Sequence, residues 1–202
     1  VIMLDEQGNV IDGDAMMCIA ALEMLKENKL KQNTLVATEY SNLGLRKAIE
    51  QAGGKVVLTD VGDRYVIEEM RKNGYNLGGE QSGHIIFLDH STTGDGTISA
   101  LQILKIMKKT GKKLSELAEV MEKYPQITIN VDIKQKKPLE EMPSFQHKLK
   151  EIEHKLGKDG RVFVRYSGTQ NKLRIMLEGK IKEELDLYAQ QIAEEVKKEI
   201  GT

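Results

Sequence analysis

Gly78-Gly79-Glu80-Gln81-Ser82-Gly83-His84 stands between an amphipathic segment that ends near Gly74 and an apolar run, Ile85-Ile86-Phe87-Leu88, that reads as a strand. Three glycines open backbone conformations closed to other residues and let a ligand approach the main chain. Glu80, Ser82 and His84 are spaced by two, so in an extended segment their side chains share one face. A carboxylate, a hydroxyl and an imidazole facing the same way suit a small polyhydroxylated ligand such as a sugar. The same composition also fits a polar turn before a strand, because loops collect Gly and Ser.

Strand and helix patterns alternate on both sides of this stretch. Leu35-Val36-Ala37 and Val56-Val57-Leu58 read as short strands. Met17, Cys18, Ala21, Leu22 and Leu25 follow helical spacing behind a cap at Asp14. Leu45, Ala48, Ile49 and Ala52 line a second helix face that Gly53-Gly54 stops. A third helix runs from about Arg64 to Gly74 with Ile67 and Met70 inward. Asp95 opens a fourth, with Ile98, Leu101 and Leu104 or Lys105 on its buried side, and Leu114, Leu117, Ala118 and Met121 predict one more. This alternation predicts a three-layer α/β domain with a mixed sheet over residues 1–123. The pattern changes near Tyr124-Pro125, with a linker expected around 122–126. Ile127, Ile129, Val131 and Ile133 alternate with polar residues as a half-buried strand does. Lys134 to Pro143 reads as a loop, Leu149, Ile152 and Leu156 as a helix ending at Gly157, and Leu185, Ala189, Ile192 and Val196 as a long helix. Residues 124–202 therefore predict a smaller α+β domain, with helices on one face of an antiparallel sheet.

In that second part, Val162-Phe163-Val164 and Leu173-Arg174-Ile175-Met176-Leu177 read as two strands joined by a polar loop. Arg165, Ser167, Thr169 and the Gly168 amide place donors in one short segment, and Arg174 adds a second positive charge. Arginine grips a phosphate bidentately, and hydroxyls and free amides complete its shell. A hairpin turn with surface charges is the alternative reading.

The 202 residues carry 30 Lys and Arg against 31 Asp and Glu, a formal net charge of −1. That balance argues against a nucleic-acid partner or a polybasic membrane surface, and no apolar run approaches the ~20 residues of a membrane-spanning helix. Cys18 is the single cysteine, which excludes an internal disulfide. His90, His147 and His154 lack a spaced Cys or His partner for zinc. Asp12-Gly13-Asp14 has the look of a hard-cation motif, but it reads better as a turn and helix cap, as does Asp95. Lys134-Gln-Lys-Lys137 has no interleaved aromatics and reads as an exposed loop.

Taken together, the two polar clusters resemble the α-D-phosphohexomutase superfamily. Gly79-Glu80-Gln81-Ser82-Gly83-His84 matches its sugar-recognition loop, and Arg165-Tyr166-Ser167-Gly168-Thr169 matches its phosphate-binding loop, usually Arg-Pro-Ser-Gly-Thr. Gly8-Asn9-Val10-Ile11-Asp12-Gly13-Asp14, Val61-Gly62-Asp63-Arg64-Tyr65-Val66 and Thr92-Thr93-Gly94-Asp95-Gly96 extend the resemblance over nearly the whole chain. The branch it resembles most is the bacterial phosphoglucosamine mutases. The resemblance implies a parent of four domains and about twice this length. Residues 1–123 would be its third domain, the first few being a remnant of the second, and 124–202 its fourth.

What the resemblance implies for function is specific. The parent would interconvert glucosamine 6-phosphate and glucosamine 1-phosphate through a phosphoserine enzyme and a bisphosphate intermediate, in the cytoplasm, for cell-wall amino-sugar precursors. Glu80, Ser82, Asp63 and Arg64 would bind the sugar, and Arg165, Ser167, Gly168, Thr169 and Arg174 the phosphate that is not being transferred. His84 would shuttle a proton or make a structural hydrogen bond. The family's phosphorylated serine, in a Thr-Ala-Ser-His-Asn-Pro type segment, has no counterpart here, nor has its Asp-x-Asp-x-Asp-Arg magnesium loop. Mg2+ would thus be held by the parent outside this chain, no metal ligand is expected within it, and the chain alone is expected to be inactive. The implied partners are a hexosamine phosphate and the parent's N-terminal domains, and a homo-oligomer is compatible with the sequence. The alternatives are a phosphoglucomutase or phosphomannomutase, or a non-catalytic module that binds a sugar phosphate. Tyr166 stands where proline is usual, Gln170 where glutamate is, and Asn171 where proline is. Loss of proline's fixed φ predicts a looser phosphate loop.

Overall fold

The computed structural model describes residues 1–201, which fall into two compact units, Val1–Lys123 and the residues from Tyr124 on. The first unit opens with a small antiparallel hairpin of β1 (Met3–Leu4) and β2 (Val10–Ile11). Then follow α1 (Gly13–Lys26), β3 (Thr34–Thr38), α2 (Leu43–Gln51), β4 (Lys55–Thr59), α3 (Asp63–Asn73), β5 (Leu77–Gly79), β6 (Ile85–Phe87), α4 (Gly96–Thr110) and α5 (Leu114–Ala118). The main sheet has the order β4-β3-β5-β6, with β3 parallel to β4 and β5, and β6 antiparallel to β5.

Handedness explains the three layers. The crossover from β3 to β4 moves one way along the sheet and that from β4 to β5 moves the other way. Two right-handed crossovers of opposite direction put α2 and α3 on opposite faces. The strand residues alternate accordingly. Leu35, Ala37, Ile85 and Phe87 join the core formed with α1, α2, α4 and α5, whereas Val36 and Ile86 meet Val66 and Met70 of α3.

Helix α1 is more deeply set than its spacing predicts. Six consecutive residues, Met16 to Ala21, are buried, so that stretch of the helix is enclosed on all sides instead of showing one apolar stripe. Its N-cap is Asp12, which accepts the Ala15 N–H at 3.1 Å, and not Asp14. Ala52, expected on the inner face of α2, is exposed. In α4 the expected face is also displaced. Asp95 does cap it, accepting from the Ile98 amide at 2.9 Å, but Ser99, Ile103 and Ile106 are buried while Leu101 and Leu104 are 56% and 47% exposed.

The second unit contains β7 (Gln126–Asp132), α6 (Pro143–Leu156), β8 (Arg161–Tyr166), β9 (Lys172–Glu178) and α7 (Lys182–Ile200). The three strands are antiparallel in the order β7-β9-β8. Leu173, Ile175 and Leu177 of β9 and Val162, Val164 and Tyr166 of β8 meet Phe145 and Ile152 of α6 and Leu185, Ile192 and Val196 of α7 in one core. The opposite sheet face carries charge. Arg161 and Glu178 are cross-strand partners there, paired at 2.7 Å with Glu178 fully buried. Removing one partner of such a pair costs about 3–5 kcal/mol.

Candidate functional site

Residues 80–84 close the hairpin between β5 and β6. The segment is a turn and not the extended run its spacing suggested. The Gly83 amide donates to the Glu80 carbonyl at 3.0 Å and the Glu80 amide to the His84 carbonyl at 2.9 Å. Gly83 has φ +91°, a conformation that glycine adopts without strain. The turn gathers the three side chains as the reading required, by a different geometry. Ser82 Oγ lies 3.4 Å from Glu80 Oε2 and 3.5 Å from His84 Nδ1, and His84 Nδ1 lies 3.7 Å from Glu80 Oε2. These contacts are long and Ser82 and His84 are exposed, so both keep hydrogen-bonding capacity for a ligand.

Glu80 ties the loop to α3. Its Oε1 accepts the Gly62 amide at 2.9 Å, while Oε2 faces Ser82 and His84. One carboxylate oxygen thus orders the protein and the other remains for a hydroxyl donor. Asp63, next in the chain, is exposed in the first turn of α3, where a carboxylate complements the helix N-terminus. Arg64 is exposed too, and its Nε donates to Glu68 Oε1 at 2.9 Å, an i,i+4 pair along the helix. The structure brings Glu80, Ser82 and His84 into one cluster, with the Asp63–Arg64 segment attached through Gly62.

Asp14 is the part of this site that the sequence did not disclose. It is fully buried; Oδ2 accepts from Gln81 Nε2 at 3.0 Å and from the Asn42 amide at 2.8 Å. Burial pushes its carboxyl up to about 6, against the opposing pull of the Asn42 bond. The neighbouring Gly13 amide donates to the Gln81 carbonyl at 3.0 Å. A Cβ at Gly13 would lie 2.1 Å from the Glu80 carbonyl oxygen, so only glycine lets α1 approach this closely. Asp12 and Asp14 therefore cap a helix and anchor a loop. Among the described residues no three His, Cys, Asp or Glu side chains converge to hold a metal ion.

The second cluster is the β8–β9 turn. Ser167 donates its amide to the Lys172 carbonyl at 2.9 Å, and its Oγ accepts the Gln170 amide at 3.3 Å. Ser167 is 1% exposed, and its amide and Oγ shape the turn. Gly168 and Thr169 are exposed, and a Cβ at Gly168 would meet nothing within 4 Å. Arg165 pairs with Arg174 across the strands, and Asn130 of β7 pairs with Arg174 on its other side. These three lie on the face opposite the helices, since Val164, Tyr166, Leu173 and Ile175 face the core. Arg174 Nε is buried and unpartnered.

A hollow of about 310 Å³ at the other end of β6 is lined by Glu23, Glu27, Phe87, His90 and Lys109 among others and includes no residue of either cluster. Its charges are turned on one another, Lys109 Nζ meeting Glu23 at 2.6 Å and also Glu27.

Comparison with known proteins matches two segments of the chain. Residues 12–124 match the family described as phosphoglucomutase/phosphomannomutase, alpha/beta/alpha domain III, and residues 129–195 match phosphoglucomutase/phosphomannomutase, C-terminal domain. A protein of Geobacter metallireducens named phosphoglucosamine mutase is 57% identical over 201 residues, covering all of this chain and 45% of that protein. The chain thus spans about half the length of the curated relatives it matches. Among solved structures, Aspergillus fumigatus N-acetylphosphoglucosamine mutase superposes with a TM-score of 0.79 at 22% identity, over 98% of this chain and 45% of that one. A second structure of that enzyme, in complex with GlcNAc-6P and magnesium, gives 0.76 at 22% over 98% of this chain and 46% of that one. At such identity the superpositions establish the fold alone. With more than half of its residues matched by the domain III family and most of the remainder by the C-terminal domain, the chain belongs to the phosphoglucomutase/phosphomannomutase family.

Proposed function

We propose that the chain is the sugar- and phosphate-recognition part of a longer phosphoglucosamine mutase, which interconverts glucosamine 6-phosphate and glucosamine 1-phosphate. The observation that carries this reading is the identity above 50%, over 201 residues, to proteins of that name. Glu80 Oε2 and Ser82 Oγ would bind ring hydroxyls, with Asp63 and Arg64 at the margin, and His84 would relay a proton or orient Glu80. Arg165, Ser167, the Gly168 amide, Thr169 and Arg174 would hold the phosphate at the end of the sugar that is not reacting.

The chemistry divides accordingly. A phosphoserine elsewhere in the parent gives its phosphoryl group to the free sugar hydroxyl, forming a bisphosphate. After the sugar turns over, the other phosphoryl group returns to the serine. A phosphate contact at the Arg165 loop and hydroxyl contacts at Glu80 each serve either orientation of the sugar, so each cluster would supply recognition common to both half-reactions. A bound magnesium ion would neutralise charge on the phosphoryl group in transfer; among the described residues no three His, Cys, Asp or Glu side chains converge to hold it, and its ligands would come from the rest of the parent. A charged sugar phosphate as substrate agrees with a cytoplasmic enzyme, and no helix among the described residues is long and apolar enough to cross a membrane. The test is kcat/KM of the parent for glucosamine 6-phosphate, glucose 6-phosphate and mannose 6-phosphate. The reading expects the amino sugar to be preferred at least tenfold. Equal or greater efficiency with glucose or mannose would assign the parent to a phosphoglucomutase or phosphomannomutase instead.

A further inference from the structure

Tyr166 and the Lys136–Lys137 segment are joined in a way the phosphate-loop reading does not require. The Lys137 amide donates to Tyr166 Oη at 3.2 Å, and the same hydroxyl donates to the Lys137 carbonyl. One side chain therefore satisfies both backbone polar groups of Lys137. One residue earlier, Lys136 Nζ donates to the Ser167 carbonyl at 3.0 Å and lies 5.9 Å from the Tyr166 ring centroid. That carbonyl needs another donor because the Lys172 amide, which would meet it in a regular ladder, turns to Gln170 at 2.8 Å. Two adjacent residues thus strap two others some thirty positions away.

The strap is fixed at its other end. Lys137 Nζ lies 3.8 Å from Glu199 Oε2, and Glu199 Oε1 accepts the Ser144 and Phe145 amides at the start of α6. The Tyr166 ring packs against the core between sheet and helices. By contrast, the 167–172 turn is held internally by a few backbone contacts and exposes Gly168 and Thr169. Its donors can bind an anion tightly only if the turn is fixed beforehand, since ordering on binding is subtracted from affinity.

We infer that Tyr166 is a positioning residue for the anion-binding turn, acting through its hydroxyl on Lys137 with Lys136 as a second tie, and that this strap presets the Gly168 amide and the Thr169 hydroxyl for phosphate. The inference rests on the reading of the Arg165 loop as a phosphate site. Tyr166 would then supply by a tether the stiffness that a proline supplies by its ring. The ladder geometry makes that substitution testable. Because Ser167 and Arg165 sit in hydrogen-bonded pairs with β9, the Tyr166 N–H points away from β9, and β8 is an edge strand where proline is admitted.

The experiment is a chemical-shift titration of the 202-residue chain with inorganic phosphate, alongside its melting temperature and amide exchange at residues 167–170. Tyr166→Phe keeps the ring and should weaken phosphate binding about three- to tenfold while speeding exchange in the turn. Tyr166→Pro should lose stability with the ring yet bind phosphate within about twofold of the original chain. Phosphate affinity unchanged in Tyr166→Phe, or Tyr166→Pro binding as weakly as Tyr166→Phe, would overturn the inference. No saturable binding by the unaltered chain, or full affinity in Arg165→Ala, would overturn the phosphate-site reading itself and the inference with it.

Discussion

Arg165 and Arg174 stand directly opposite each other on β8 and β9, on the sheet face turned away from the helices. Like charges in that relation repel. The buried, unpartnered Nε of Arg174 adds the cost of an unsatisfied donor. An anion that met the Arg174 guanidinium would relieve that cost.

Replacing Arg165 should be read first in binding. A charge-assisted contact to phosphate is worth about 1.5–3 kcal/mol, so Arg165→Ala should lower affinity for a phosphate ester about tenfold to a hundredfold. Arg165→Lys should recover only part, because an ammonium cannot form the two-pronged contact. Calorimetry that finds unchanged affinity in both variants would remove Arg165 from the site.

Two glycines should behave oppositely. Gly168→Ala adds a methyl group into open space, so melting temperature should stay within about 2 °C while phosphate affinity falls, because the methyl occupies the approach to the amide. Gly13→Ala would press a methyl against the Glu80 carbonyl and should cost about 1–3 kcal/mol of stability. Thermal melts and phosphate titrations of both variants would check the contrast, which fails if Gly168→Ala unfolds the chain or Gly13→Ala does not weaken it.

Asp14 gives a pH prediction. Its carboxyl is pushed up from 3.8 to about 6, chiefly by burial. The folded chain therefore binds more protons than the unfolded chain between those values, and stability from this group falls as pH rises through that window. Asp14→Asn, with its amide oxygen in the place of Oδ2, can accept from both the Asn42 amide and Gln81 Nε2. It should be about 2 kcal/mol more stable than the original chain at pH 7.5, with the difference vanishing near pH 4. Urea denaturation at the two pH values would test this, and a variant less stable at pH 7.5 would contradict it.

Much of the fold was legible because local signals agreed. Gly74 ends α3 in the left-handed conformation its position predicts, and Gly53-Gly54 follow α2. The face of α4 was not legible because the helix carries two apolar stripes. Leu101 and Leu104 line one, and Ile103 and Ile106 line the other with Ser99. Hydrophobic spacing cannot favour the stripe that contains a serine, yet Ser99 is buried there with its hydroxyl bonded to the Asp95 and Ile85 carbonyls at 2.7 and 3.2 Å. Asp12 and Asp14 both had the composition of a cap, and only contacts from Asn42 and Gln81, far away in sequence, separate their roles. The members of both loops were readable from residue chemistry. What holds the loops was not, because Gly62, Asp14, Lys136 and Lys137 reach them across 18 to 67 positions.

The central claim is that the Glu80 loop recognises the sugar and the Arg165 loop its phosphate, and Glu80→Gln in the full-length parent tests it most directly. Glutamine keeps one acceptor oxygen for the Gly62 amide but loses the charge that strengthens hydrogen bonds from ring hydroxyls. The account predicts that kcat/KM for glucosamine 6-phosphate falls at least tenfold, while melting temperature and inorganic phosphate binding stay at their original values. A variant that melts earlier and loses sugar phosphate and inorganic phosphate alike would show Glu80 to be a structural residue and contradict the account.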